Sequence, residues 1–543
     1  MKRLLTLILF SSLLLYTHYD YVVMGDGDIN KLIYYLCNVC GIIFDASIVT
    51  LVACAFKRAG ARMVAAGIFW AWCMVNVIYL RHFDTYVDIT MIGEVRNFDM
   101  LGESIVSLTH IRDIVVSILF LGACYWVFFS TKDRWKQLRW YYLFVPIALS
   151  FAGIYVTNSR AKHVPLAKAF NFWGGNFGSN SYVVGYRYGF FHFFYSNLYT
   201  LNMHRDRTEA DIKSMQELSR RRATEAMPAN DSTALPRNIV FVLMESIMSD
   251  AVTAVCDGDS VMPNLARLAR EAQYCNLNMA SEVGIGWSSD GQLIYMSGIL
   301  QHSTKNTVNT FTHNSHRGMG SICKELGYST AMVIPTGKHV WHQEEMCVAY
   351  GIDSLYSTIK HGHDDDKHLV DSTIQVLNHY KNERLFVTIL NISTHTPISQ
   401  HFPERMRDFN DKSFPEKEIL YFERANYFDF HLGRMIEALR RNGQWDNSLV
   451  ILASDHHDDD WVDKTHNSIP LIITGGFQLP VQQHDTATIY QTDVYPTLLH
   501  LLHVKQDWQG VGRDLFNPKS TRLSPAEKHR ISDIILETDW FKK

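Results

Sequence analysis

Apolar and polar positions divide this chain into two regimes. Up to about residue 157 the apolar residues come in long, nearly unbroken stretches, at 4–23, 32–56, 63–80, 114–130 and 140–157. About 20 such residues in a helix cross a hydrocarbon core of about 30 Å, so the pattern predicts five membrane-spanning helices. From Asn238 onward the period shortens. Runs of strand type at 238–244 (NIVFVLM), 329–334 (STAMVI), 385–391 (LFVTILN), 448–453 (SLVILA) and 468–473 (SIPLII) alternate with amphipathic stretches such as 263–273 and 420–441. That alternation predicts an α/β domain with a mostly parallel sheet covered by helices. In such sheets ligands gather beyond the carboxyl ends of the strands.

Between the regimes, residues 158–236 change character twice. Aromatic residues crowd the part from Phe170 to Tyr199, including Phe190, Phe191, Phe193 and Phe194. Such a stretch suits the outer membrane interface, or a seam that docks a soluble domain. Residues 205–226 carry much charge, with Arg220, Arg221 and Arg222 in a row, and read as a solvated helix; Pro228 to Pro236 reads as a short linker. The expected plan is a membrane domain at 1–157, an interfacial segment and linker at 158–236, and a catalytic domain at 237–543.

Charge sets the orientation. Lys2 and Arg3, the loop with Lys57, Arg58 and Arg62, and the loop with Lys132, Arg134, Lys136 and Arg139 all fall on one side. The opposite loops hold only Lys31, Arg81, Arg96 and Arg112, so the N-terminus is expected in the cytoplasm. No small-residue cleavage site follows the first span, which is therefore read as retained. Five spans then leave everything after about residue 157 outside the cytoplasmic membrane. Asp45, inside the second span, marks either a functional site or a hydrogen bond to a neighbouring helix. A net charge of −4 gives no sign of a nucleic-acid partner. Four of the nine cysteines, Cys256, Cys275, Cys323 and Cys347, fall in the exported part. They form either two disulfides, Cys256–Cys275 and Cys323–Cys347, or a set of buried thiols.

Candidate chemistry gathers near the strand ends. Glu245 follows NIVFVLM, and Asp455 with His456 follows VILAS, as residues that bind Zn²⁺ or Mn²⁺ would. Taken alone, Glu245 would serve equally as a helix N-terminal charge. Ser288 lies in a glycine-bearing loop, GIGWSSDGQ, and its hydroxyl becomes a good nucleophile only beside a base or a cation. Its neighbour Ser289 is chemically indistinguishable. His395, after LFVTILN, and His466, before SIPLII, read as proton donors or as hydrogen-bonded loop histidines. The acidic run Asp458 to Asp460 reads as a solvated loop.

These segments, in this order behind five spans, resemble the alkaline phosphatase/sulfatase superfamily. They are most similar to its membrane-anchored phosphotransferases, the lipoteichoic acid synthases and phosphoethanolamine transferases. By that resemblance NIVFVLMES places Glu245, ASDHH places Asp455 and His456, and GWSSDGQ places Ser288 rather than Ser289 around one divalent cation, Mn or Zn, with a second ion admitted during catalysis. The segment THTP places His395 beside the phosphate. In lipoteichoic acid synthases the sequel of the GYSTAMVI segment carries a histidine, a tryptophan and an arginine around glycerol phosphate. Here Trp341 matches the tryptophan, while Ile334 and Gln343 stand at the other two positions and Lys338, His339 and His342 lie close by. Losing the guanidinium removes a bidentate phosphate partner. The residues after Ser288 lack the proline and arginine of the formylglycine pattern, so sulfatase activity is not expected. The resemblance implies transfer of a phospholipid-derived headgroup phosphate, phosphoglycerol or phosphoethanolamine, through a phospho-serine to a glycan or lipid acceptor. A phosphodiesterase using water, and a noncatalytic binding module, are the alternatives.

Overall fold

The structure, a computed structural model, describes residues 2–19, 31–83, 86–87, 105–106, 108–129, 144–161, 189–194, 204–225, 234–303, 305–338, 340–358, 366–395, 398, 401–458, 467–479 and 483–542. They form two compact units whose boundary in the sequence falls between Met203 and His204.

The first unit is helical. Helices α1 (Lys2–Thr17), α2 (Lys31–Ala55), α3 (Ala59–Phe83), α4 (Ile111–Phe129) and α5 (Phe144–Ala161) coincide with the five apolar stretches. Three of them, α2, α3 and α4, are long and apolar enough to cross a membrane; α1 has 16 residues and the apolar part of α5 is Phe144–Val156. Residues 20–23 and 140–143 of the first and fifth apolar stretches lie outside the described residues.

Two polar contacts organise this bundle. Arg81 Nη1 and Nη2 donate to the Asp113 carboxylate at 2.7 and 2.8 Å, and the Tyr16 hydroxyl donates to the same group. The carboxyl ends of α1 and α3 therefore meet the amino end of α4, as a chain threading back and forth requires. Asp45, on α2, accepts the backbone N–H of Phe190 at 2.5 Å and of Phe191 at 3.3 Å. It caps a single helical turn at 190–194 whose Phe190 and Phe193 are buried in the bundle core with Phe10 and Tyr86. Of the two readings of Asp45, the hydrogen bond is the one observed. This part of the aromatic stretch is bundle interior rather than an interfacial strip, because the carboxylate satisfies N–H groups that would otherwise be stranded among apolar rings. The rest of 170–199 lies outside the described residues.

The second unit is built on a nine-stranded sheet. Its strands are β1 (Asn238–Met244), β2 (Tyr274–Ala280), β3 (Ser329–Ile334), β4 (Ser354–Ser357), β5 (Leu385–Leu390), β6 (Ser448–Ser454), β7 (Ile469–Thr474), β8 (Gln483–Asp485) and β9 (Ile489–Tyr490). The spatial order is β8-β2-β7-β6-β1-β5-β3-β4, with β9 also on β2. All pairings are parallel except those of β7, which runs against β6 and β2. β1 and β6 are buried on both faces, which is why they read as unbroken apolar runs.

Helix α6 (Glu209–Glu225), expected to be solvated, instead docks on this unit. Met215 and Leu218 are buried. Arg222 donates to the carbonyls of Gly512 and Thr521 at 2.5 and 3.1 Å and to Glu225 at 2.8 Å. Arg222 and Glu225 are buried and partnered on the docked face, while Lys213, Glu217 and Arg220 are exposed on the other. The four cysteines of this unit are free and buried in the apolar interior, with Cys347 against Met332 Sδ at 3.6 Å, so the disulfide reading gives way to buried thiols.

Candidate active site

Parallel strands end together, and the order β6-β1-β5 brings three strand ends side by side. Glu245 directly follows β1, Asp455 and His456 follow β6, and the loop 391–395 follows β5. Facing them is α7 (Ser288–Ser297), whose first residue is Ser288. Gly291, one turn along α7, allows the contact: a Cβ there would lie 2.4 Å from the Asp455 carbonyl oxygen.

The four side chains converge. Ser288 Oγ donates to Glu245 Oε2 at 2.9 Å and lies 3.1 Å from His456 Nε2. His456 Nε2 is 3.3 Å from Glu245 Oε1 and 3.7 Å from Asp455 Oδ2. Among the described residues, Glu245, Asp455 and His456 form a buried group whose ligand atoms all lie within 4.8 Å of one another. His456 Nδ1 is 2.8 Å from the His457 carbonyl oxygen, which fixes the tautomer and turns Nε2 toward the carboxylates.

Electrostatics test whether a cation fits. Burial alone would lower the His456 pKa, but the Asp455 and Glu245 carboxylates outweigh it and raise it to about 10. Burial, then the Glu245 charge, push Asp455 up to about 8. Glu245 is held below its ordinary value, because the His456 charge and hydrogen bond, with the His395 charge further out, overcome its burial. Two buried carboxylates thus draw positive charge into the centre of the cluster. One imidazole nitrogen, carboxylate oxygens and a hydroxyl, with no thiolate, form a donor set suited to Zn²⁺ or Mn²⁺.

Several residues that frame the site carry no signal in the sequence. Ser246, at φ 52°, donates its hydroxyl to Glu245 Oε1 at 2.8 Å and its N–H to Asp455 Oδ1 at 2.9 Å. Asn391 Oδ1 accepts the Glu245 N–H at 2.6 Å, and Thr394 Oγ1 donates to the Glu245 carbonyl at 2.5 Å. Asp290 is buried and accepts the N–H groups of Gly284 and Gly286 at 3.0 and 2.9 Å, folding the loop ahead of Ser288; burial pushes its carboxyl up to about 7. Trp287 sits edge-on to His456 at 5.1 Å. A buried Asn or a serine beside an acid is too common for its role to be read without the fold.

The remaining predicted residues separate. His395 is exposed, on the loop that Thr394 ties to Glu245. Trp341 and His342 are half-buried in left-handed backbone at φ 49° and 53°, with His342 Nδ1 3.9 Å from Glu345. Their segment is fastened to α7 through Gln343, which exchanges amide hydrogen bonds with Gln292 at 3.1 and 3.2 Å. Lys338 is exposed, and His339 and His466 lie outside the described residues. Asp458, expected in a solvated loop, is 5% exposed with its N–H on Met248 Sδ; Asp459 and Asp460 lie outside the described residues.

A parallel sheet with acidic and imidazole groups at adjacent strand ends, facing a hydroxyl at a helix N-terminus, defines a protein of the alkaline phosphatase/sulfatase type. Comparison with known proteins agrees. Residues 237–504 match the sulfatase family and residues 2–184 match the lipoteichoic acid synthase N-terminal domain. Lipoteichoic acid synthase 2 of Bacillus subtilis is 21% identical over 499 residues, covering 83% of this chain and 73% of its own length. Lipoteichoic acid synthase of Staphylococcus aureus is 21% identical over 526 residues, covering 88% and 79%. The crystal structure of the lipoteichoic acid synthase LtaP from Listeria monocytogenes shares the fold, with a TM-score of 0.50 at 17% identity over 60% of this chain and 96% of that one. The chain belongs to the membrane-anchored phosphotransferase branch of the alkaline phosphatase/sulfatase superfamily, and it is an enzyme of that class.

Proposed function

We propose that this enzyme transfers a phospholipid-derived headgroup phosphate to a hydroxyl of a cell-envelope glycan or lipid, through a phosphorylated Ser288. The observation that carries the reading is the convergence of Ser288 Oγ on Glu245 and His456 within 3.1 Å, at the head of α7. Glu245, Asp455, His456 and the Ser288 hydroxyl would hold one divalent metal, Mn or Zn. When bound, the metal supplies Lewis acidity, lowering the serine pKa and screening charge on the phosphoryl oxygens.

In the first step Ser288 Oγ releases its proton to solvent and bonds to phosphorus, and the bond from phosphorus to the diacylglycerol oxygen breaks. His395, exposed beside Glu245, donates a proton to that leaving oxygen. In the second step an acceptor hydroxyl gives its proton to His395, restoring it, and its oxygen bonds to phosphorus; the bond to Ser288 breaks, and the serine takes a proton from solvent. The amino end of α7, a ten-residue helix, favours the phosphate charge throughout. Trp341, Lys338, His342 and His466 are assigned to binding the transferred headgroup. With Gln343 paired to Gln292 there is no guanidinium at that position, and phosphoglycerol and phosphoethanolamine both remain as the group transferred.

The basic loops, together with α1 and α3 pointing the same way, support a cytoplasmic N-terminus and an extracytoplasmic catalytic unit. Donor lipid and active site then share one surface, so their encounter is nearly two-dimensional.

The test is a mass spectrum of the Ser288 peptide. Full-length protein is incubated with divalent metal and mixed phosphatidylglycerol and phosphatidylethanolamine, then digested. A glycerophosphate or phosphoethanolamine adduct on Ser288 is expected and names the donor. Diacylglycerol release with no adduct in a rapidly quenched sample would favour direct hydrolysis by water. Neither product would remove the phospholipid donor from the reading.

A further inference from the structure

Ser288 and the metal-type residues come from segments far apart in sequence, so something must set their spacing. The loop that leads into Ser288 starts after β2, at Ser281 and Glu282. Asp455 ends β6. β2 and β6 are not neighbours, because β7 lies between them. No sheet hydrogen bonds therefore tie the start of that loop directly to the Asp455 strand end.

One side chain spans this gap. Gln491 follows β9 and is fully buried. Its Oε1 accepts the Glu282 N–H at 2.6 Å and the Ser281 hydroxyl at 3.4 Å. Its Nε2 donates to the Asp455 carbonyl at 2.6 Å and to the Tyr295 hydroxyl at 3.2 Å. Tyr295, also fully buried and on α7, passes its own proton to the Ser454 carbonyl at 2.6 Å. An amide has two donor hydrogens and an oxygen that accepts twice, and here every one is used. The partners are the first residues of the nucleophile loop, the helix that Ser288 opens, and the backbone of Asp455.

The anchor at the loop end is itself rigid. Glu282 accepts from buried Lys528 at 2.7 Å and from the Thr492 N–H and hydroxyl at 3.0 and 2.7 Å, while its carbonyl accepts from Gln301 at 3.0 Å. Thr492 adjoins Gln491, so the clamp grips Glu282 through both side chain and backbone. Gly291 on α7 already touches the Asp455 carbonyl. That oxygen is thus the point where helix, loop and strand end are referenced to one another, on the residue whose carboxylate faces the cation centre.

We propose that Gln491 is a positioning residue for the transfer reaction, holding Ser288 at a fixed spacing from Asp455. Its role rests on the reading of Ser288 as nucleophile and Asp455 as metal ligand. Without the clamp, the loop start and the strand end are free to separate, and the four convergent groups lose their common centre. Outer partners of ligands typically change metal affinity or activity about 10–100-fold, and a misplacement of about 1 Å costs about 100-fold in rate.

The test uses full-length enzyme in detergent and two readouts. Mn²⁺ affinity is taken from the free-ion electron paramagnetic resonance signal. Diacylglycerol release from mixed phosphatidylglycerol and phosphatidylethanolamine is followed at saturating Mn²⁺. Gln491→Leu is expected to weaken Mn²⁺ binding about tenfold and lower kcat about 30-fold or more, with donor KM within about threefold. Gln491→Glu keeps the shape and the bond to Glu282 but sets an oxygen against the Asp455 carbonyl, and should show the same pattern. Tyr295→Phe, which keeps the ring packing, serves if Gln491→Leu fails to fold, and is expected to lose about fivefold or more in kcat.

A matched control separates positioning from folding. Gln273 sits at the opposite end of β2 and makes three comparable bonds, donating to the carbonyls of Gly475 and Phe477 and accepting the Leu479 N–H at 3.0, 2.8 and 2.7 Å. Gln273→Leu should lower Tm while leaving kcat per folded molecule and Mn²⁺ affinity unchanged. Wild-type kcat and Mn²⁺ affinity in folded Gln491→Leu and Gln491→Glu would overturn the proposal, as would losses matching those of Gln273→Leu. Diacylglycerol release that survives Ser288→Ala would instead overturn the reading of the site, whatever Gln491 does.

Discussion

Ser288 directs its Oγ to Glu245 and His456, whereas Ser289, next to it and buried, donates its Oγ to the Gly286 carbonyl at 2.7 Å. Two identical side chains receive opposite tasks because one residue along a helix turns the side chain by about 100°. Ser288→Ala should lower turnover about a thousandfold or more in the diacylglycerol assay. Ser289→Ala should cost about 1 kcal/mol of stability from its lost hydrogen bond and leave turnover within about tenfold. Asp366 carries a pH prediction. It is fully buried, accepts the Ile392 N–H at 2.9 Å, and steadies the loop that holds Asn391 and His395. Burial pushes its carboxyl up to about 6, although the N–H bonds it accepts oppose this. A folded pKa above the unfolded one favours the folded state when protonated. The contribution is complete below about pH 4 and lost as pH rises through about 6. Asp366→Asn should remove a pH-dependent loss on the order of 3 kcal/mol between those limits. Unfolding of metal-free wild type and variant at pH 4.5 and 7 checks this; equal pH slopes would refute it.

At the scale of elements, two close approaches decide the architecture. Helix α7 reaches β6 only because Gly291 has no side chain. Gly291→Ala places a methyl 2.4 Å from the Asp455 oxygen, so helix and strand end must part. About a 100-fold loss of kcat is expected, with a smaller fall in Tm than a buried Leu→Ala change would cause. In the helical unit, Asp45 caps the turn at Gly189, whose φ of +91° brings that backbone against the carboxylate. Asp45→Ala strands two N–H groups in an apolar bundle and should cost about 2–4 kcal/mol, measured as thermal stability in detergent. The strands of the sheet centre were legible because burial on both faces demands continuous apolar residues. β2 and β4 were not, since YCNLNMA and SLYS mix polar side chains that only their sheet neighbours explain.

For the whole molecule, metal should behave as part of the folded state. Chelation should abolish transfer and lower the Tm of the full-length protein, and Mn²⁺ or Zn²⁺ should restore both; at a thousand times the Kd the stabilisation is about 4 kcal/mol. A Tm unmoved by either ion would count against the cation site. The amino-acid sequence by itself determined the division into an apolar helical part and an α/β part, the strand ends bearing Glu245, Asp455 and His456, and the serine-bearing loop. These depend on local periodicity and on residue types that few other roles require. Tertiary structure decided what depends on distance between remote segments: which of two serines faces the carboxylates, that Asp45 caps a buried turn, that α6 is docked, that the cysteines are free, and that Gln491 joins loop to strand. A polar side chain carries no mark of its partner until the chain brings the two together.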